Sequence, residues 1–260
     1  MSVIQVESLV HEPYASILCY PRSDSQVVKD RVRELTRLGV TALEFEGVRL
    51  AANVPVPVLG KGTSGVVVIA HMSDKRVALK IKRSDTDREG FEHEATMLRH
   101  ANRIGIGPRF IALTGDMLLM QLVDGNTLFE WMSLEGSKHK YQPVISEILE
   151  QCWELDQYGF DHGELSNSTK HIMVDSDAKV FLIDFESSSM QRKVANVTSV
   201  CQYLFNGNSF VTKLLAEECV SMEKSELLAL LKGYKHERTQ HNFEVLRQFV
   251  TRHCALRGQQ

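Results

Sequence analysis

The sequence predicts an α+β chain in which a small β-rich region precedes a mostly helical one. Between Val54 and Val123, short segments rich in Val, Ile and Leu alternate with glycine and charged turns. From Pro143 to Tyr158 apolar residues instead recur every three or four positions, and the last 60 or so residues read as helical throughout. Ahead of both, residues 1–52 read as a small α/β module of their own.

In chain order, Ile17-Leu-Cys-Tyr20 suggests a short strand. A helix is expected from about Ser25 to Leu38, with Val28, Val32 and Leu35 on one face and Gly39 as its stop. Residues 41–48 then alternate as a strand. Residues 56–70 read as strand, glycine loop and strand, and residues 76–83 as a third strand. A helix is expected over about Thr86–Asn102, broken off by the Gly-Ile-Gly-Pro of 105–108. Residues 109–113 and 117–123 read as strands. The helix of 143–158 carries Val144, Ile148, Cys152 and Leu155 on one face and stops at Gly159. A polar loop and a strand, 180–184, follow.

Composition narrows the function. Of 260 residues, 43% are hydrophobic and 24% charged, enough for a sizeable core. The formal net charge of −3 provides no global basic field, so any polyanion must meet a local patch. The five cysteines are scattered, without the close pairs of zinc or dithiol sites, and read as reduced thiols. No secretion signal and no apolar run of bilayer length are visible, so a cytoplasmic protein without a membrane partner is expected.

The chemistry-bearing motifs begin at Gly60, Gly62 and Gly65, which with Val67 fit G-x-G-x-x-G-x-V. Glycines there let backbone amides approach phosphates. A dinucleotide loop would lead into a helix, whereas a strand follows here, and that selects the nucleotide loop of kinases. Lys80, in Val-Ala-Leu-Lys one strand later, suits the lysine that holds the α- and β-phosphates, and Lys82 is a rival on the same strand face. Glu94 shares a helix face with Phe91 and Leu98, and a carboxylate on such a face needs a partner, for which Lys80 is the natural choice. Met120, Gln121 and Val123 stand where a hinge would bind adenine through backbone groups. Asp161-His-Gly-Glu-Leu-Ser166 follows a helix, where a catalytic loop belongs, with Glu164 as its acid or base. Asp184 closes a strand and suits Mg²⁺. The fold expected is therefore protein-kinase-like and two-lobed, with an N-lobe over 53–120, a hinge at 121–124 and a C-lobe over 125–260.

Together these residues resemble the atypical, RIO-like branch of the kinase superfamily, including the kinase of the KEOPS complex. The likeness covers roughly residues 55–210. The nearest resemblance is to an archaeal group of kinases that carry sequences like the Asp-His-Gly-Glu-Leu-Ser of 161–166, Lys-His of 170–171, Asp-Phe-Glu of 184–186 and Asn-Val-Thr-Ser of 196–199. That resemblance implies ATP and Mg²⁺ as cofactors. It also implies transfer to a ribose 2′-hydroxyl in the variable-loop region of tRNA.

Three positions depart from the superfamily pattern. Glu164 replaces an aspartate, Thr169 stands where an asparagine is expected, and Glu186 replaces a glycine. His171 or Asn167 is then the alternative second metal ligand, although a hard cation prefers oxygen. No Ala-Pro-Glu ending follows the metal loop, which argues against an ordinary peptide platform. A basic stripe of Lys29, Arg33 and Arg37 on the first helix, and six Lys/Arg against two acids in 231–260, favour RNA. With aromatics at 7%, no stacking platform for bases stands out. A serine/threonine protein kinase acting on a protein substrate, and a nucleotide-binding module without transfer activity, are the competing expectations.

Overall fold

The computed structural model describes residues 2–22, 24–47, 56–86 and 90–254. They divide into two compact units, an N-terminal one up to Arg99 together with Pro108–Leu122, and a C-terminal one from His100 to Gly107 and from Val123 onward.

In the N-terminal unit, β1 (Ser2–Gln5) alternates half-buried and exposed side chains. A short helix α1 (Ala15–Leu18) and helix α2 (Ser25–Arg37) follow, then β2 (Val40–Phe45), which pairs antiparallel with β1. Asp24 caps α2 by accepting from the amides of Gln26 and Val27 at 2.8 and 3.2 Å, and Gly39, at φ +78°, lies just past its end. Strands β3 (Gly60–Lys61), β4 (Gly65–Met72) and β5 (Lys75–Lys82) come next. Helix α3 (Glu92–Arg103), β6 (Phe110–Leu113) and β7 (Met117–Gln121) complete the set. The sheet runs β1-β2-β4-β5-β7-β6, antiparallel at every pairing, with β3 on β4.

Val28 and Leu35 of α2 pack with Leu43, Phe45, Val68, Leu79 and Leu119 in one buried cluster, so the first 45 residues and the sheet beyond the glycine loop share a core. Arg31, buried on the same helix, reaches Asp116 at 2.8 Å and also donates to the Leu18 carbonyl. A buried guanidinium needs such partners, and here they tie α2 to the β6–β7 turn.

The C-terminal unit holds a small antiparallel sheet, β8 (Gly125–Thr127), β9 (Ile172–Asp175) and β10 (Val180–Leu182), in the order β10-β9-β8. Its helices are α4 (Leu128–Met132), α5 (Tyr141–Tyr158), α6 (Asn196–Cys201), α7 (Phe210–Glu218), α8 (Lys224–His236) and α9 (Gln240–His253). Val144, Ile148, Cys152 and Leu155 are all buried on α5, which ends at Gly159 (φ +76°). Trp153 stacks on Phe243 of α9 at 4.9 Å.

The architecture is α+β as expected, but several elements differ from the sequence expectation. Residues 17–20 are not a strand: Ile17 and Leu18 belong to α1, and the edge beside β2 is taken by residues 2–5. A four-residue apolar run fits either structure, and tertiary pairing decides it. The helix expected from Thr86 starts at Glu92, after Gly90 at φ +47°, and residues 87–89 lie outside the described residues. The strand before the glycine loop shrinks to Gly60–Lys61. Strands β8 and β9 were not expected, because at three and four residues they carry little pattern of their own. The module boundary expected near residue 52 and the end of the strand at 48 lie outside the described residues. All five cysteines are free and buried. Among the described residues no helix is long and apolar enough to cross a membrane.

Candidate functional site

The predicted site residues fall into two groups, one in each unit. In the N-terminal unit the glycine turn links β3 to β4, closed by the Gly62 amide donating to the Gly65 carbonyl at 2.8 Å. A Cβ on Gly60 or Gly62 would meet nothing closer than 3.8 Å, so this backbone can be approached closely. Gly65 differs. A Cβ there would lie 2.8 Å from the Ile81 carbonyl and 3.1 Å from the Lys80 side chain, so packing alone demands glycine. Val67 faces Lys80 across the β4–β5 ladder.

Alternation in β5 sends Val77, Leu79 and Ile81 into the core and Lys80 to the opposite face. Lys80 Nζ donates to both carboxylate oxygens of Glu94 on α3, at 2.9 and 2.7 Å, and both side chains are only 6% exposed. Phe91 places its ring 5.5 Å from the same ammonium. Lys82, the rival, lies 4.0 Å from Asp116. Met120 and Gln121 end β7, where Gln121 accepts from and donates to the Arg109 backbone, and Val123 opens the C-terminal unit.

In the C-terminal unit the segment after α5 is held by a buried polar network. Asn196 donates to Asp156 Oδ1 at 2.8 Å and to the Phe160 carbonyl at 2.6 Å, and accepts from the His162 amide at 2.9 Å. Tyr234 of α8 donates to Asp156 Oδ2 at 2.8 Å. Burial pushes the Asp156 carboxyl upward despite these donors, and burial and Asp156 together push the Tyr234 phenol far up. Asp161 takes a 2.8 Å bond from Arg192 and exchanges backbone bonds with Ser189. Gly163, at φ +90°, could carry no side chain, since a Cβ would sit 2.7 Å from the Ser187 carbonyl. Glu164 accepts from the Ser187 hydroxyl at 2.7 Å.

Asp184 follows β10 in the left-handed region (φ +67°), and its side chain is 38% exposed. Its Oδ2 lies 3.9 Å from His171 Nε2. Ligand oxygens of Asp184 and Glu186 come within 4.8 Å of one another, so the residue that departs from the expected glycine is itself a possible metal ligand. Asn167 is exposed and accepts from Thr169, turning its carbonyl oxygen to its own loop. His162 is fully buried against Phe185 and donates Nε2–H to the Ile183 carbonyl, which leaves its Nδ1 an unpartnered acceptor. Desolvation, with His171 nearby, lowers its pKa to about 4, so the ring is neutral.

The candidate RNA residues Lys29, Arg33 and Arg37 are all exposed along α2, with Arg33 paired to Asp30 at 2.7 Å. The C-terminal basic run is thinner than the sequence suggests. Arg247 is held by Glu150 and Glu244, Arg238 by the Val194 carbonyl, and Arg257 lies outside the described residues. Sequence reasoning missed Asp156, Asn196, Ser187 and Arg192, which set the shape of the loop. Asn196 was visible only as part of a family-like string. No family model matches the chain, and no curated protein matches it either.

Proposed function

We propose that this chain is a cytoplasmic, ATP-dependent phosphotransferase of two-lobed, protein-kinase-like construction, with a tRNA ribose 2′-hydroxyl as acceptor. The Lys80–Glu94 pair carries the reading. A buried ion pair is a poor stabiliser, since apolar residues of similar size would do as well or better. Its presence one strand after a glycine turn with open backbone is accounted for by a charge held ready for phosphates. The acceptor class rests on the resemblance of residues 161–166, 184–186 and 196–199 and on the exposed bases of α2.

In this reading the amides around Gly60, Gly62 and Gly65 cradle the ATP phosphates, with Val67 flanking the base. Glu94 holds Lys80 toward the α- and β-phosphates. Backbone groups of Met120, Gln121 and Val123 take the adenine. The oxygen donors of Asp184 and Glu186 fit a hard divalent cation, with His171, 3.9 Å from Asp184, or Asn167 of the same loop as the alternative second ligand. Mg²⁺ bound there would neutralise charge on the phosphates. Glu164, kept in place by the Ser187 hydroxyl, orients the acceptor hydroxyl and receives its proton.

The test offers γ-phosphate-labelled ATP and Mg²⁺ to the purified chain with unmodified tRNA and a protein mixture side by side. Label in tRNA that survives protease supports the proposal, and nuclease mapping then finds the acceptor. Label in protein alone replaces it with a protein kinase. No label in either, with ATP still binding, leaves a nucleotide-binding module and sinks the phosphotransferase reading.

A further inference from the structure

We infer that a cavity lined by Phe129 and Phe210 in the C-terminal unit is an acceptor subsite that takes a nucleobase of an RNA strand. The inference rests on the phosphotransferase reading for its role in catalysis and adds a second point of contact with the acceptor. The cavity encloses about 380 Å³. Its lining includes Phe129 of α4, Ser166, Asn167 and Thr169 from the loop that carries Glu164, and Asn208 and Phe210 at the start of α7.

Four observations select a nucleobase. Phe210 is 69% exposed, the most exposed large hydrophobic side chain among the described residues. This departs from the expectation that the chain has no stacking platform. The Phe210 ring is backed by Phe129, with centroids 5.2 Å apart and planes tilted by 36°, and the Lys213 ammonium lies over it at 5.7 Å, on a flexible stem that can make way for a planar ligand. The platform is rigid at its base. Ser209 caps α7 by accepting from the Thr212 amide at 3.0 Å, and the Ser209 and Thr212 hydroxyls donate to the Tyr203 carbonyl at 3.1 and 2.7 Å. The lining carries no charged side chain and its exposed surface is mostly apolar, with Ser166, Asn167, Thr169 and Asn208 among it, which suits the flat face of a base and gives its edges a few polar partners.

Charge and position agree with this. Lys213 stands 5.7 Å from the Phe210 ring and Lys170 is exposed on the same loop as Thr169, so phosphates flanking the base would meet cations. Ser166 and Asn167 follow Glu164 by two and three residues, which keeps a nucleotide held here on the acceptor side of the candidate base.

The experiment measures binding without ATP, using unmodified tRNA and a short oligouridylate with wild type, Phe210→Ala and Phe210→Trp. Stacking of this kind predicts an affinity loss of about tenfold or more for Phe210→Ala. Phe210→Trp should restore binding, with quenching of the added indole fluorescence. Because the side chain is largely exposed, the melting temperature of Phe210→Ala should match wild type. Equal RNA affinity in Phe210→Ala and wild type, or no RNA binding by wild type, overturns the inference. So does Phe210-dependent capture of a Phe/Tyr-rich peptide in place of RNA. RNA binding that depends on Phe210 without any phosphate transfer would keep the subsite and sink the phosphotransferase reading. Transfer to RNA that ignores Phe210→Ala would do the reverse.

Discussion

Lys80 and Glu94 are each 5% exposed, so whatever either does, it does in a medium where a lone charge is costly. Removing the ammonium alone takes from Glu94 the cation that donates to both its oxygens, an expected loss of about 3–5 kcal/mol. Lys80→Met should therefore melt early, and adding Glu94→Gln should recover most of the stability. Neither variant should transfer phosphate from labelled ATP, which separates the structural role from the functional one. Asp184→Asn should also abolish transfer, with the fold kept, because its side chain is more than a third exposed. A second buried carboxylate gives a pH signature. Burial pushes Glu44 up, but hydrogen bonds and charge from His71 and Arg76 hold it below its usual range on balance. A lowered folded value means stability that is complete above the unfolded pKa, about 4.3, and lost as pH falls through the folded one. The difference in melting temperature between wild type and Glu44→Gln should be largest near neutrality and shrink below about pH 4. A difference that stays constant with pH would remove Glu44 from the account.

At the scale of elements, the loop carrying Glu164 owes its shape to a helix, α6, that carries none of the candidate site residues itself. Asn196 of α6 engages Asp156, Phe160 and His162 at once. Asn196→Ala strands buried partners, and each such group costs about 1–3 kcal/mol. We expect lower stability in denaturant titration, faster amide exchange over 161–164, and reduced transfer with ATP binding largely intact. Helices α2 and α5 were legible in the sequence because their apolar stripes and glycine stops are local signals. Strands β8 and β9 were not, because each has four residues or fewer and owes its existence to its neighbour. Residues 15–18 went the same way, with too few positions to separate a period of two from one of 3.6.

For the whole molecule, a net charge of −3 means that RNA must be held by patches rather than by a general field. The stripe on α2 survives in the structure as exposed side chains, whereas Arg238 and Arg247 near the C-terminus are occupied by protein partners. Reversing Lys29, Arg33 and Arg37 to Glu should weaken tRNA binding and leave ATP hydrolysis unchanged. It should also make log K less steep in log salt by about two to three, at roughly 0.9 for each phosphate that is no longer neutralised. An unchanged slope would mark the stripe as a solvated helix face.

By itself the sequence determined the α+β order, the amphipathic helices, and the succession of glycine turn, lysine and glutamate, since each is written within a few residues of itself. Only the tertiary structure decided which lysine meets the carboxylate. Lys80 and Lys82 share a strand face, and the distinction comes from α3 presenting Glu94 to one and the β6–β7 turn presenting Asp116 to the other. It also decided that Asn196 braces the loop and that Phe210 stands exposed beside residues some forty positions earlier. Periodicity and turn chemistry act over neighbouring residues, whereas the choice of partner is made by packing between segments far apart in the chain.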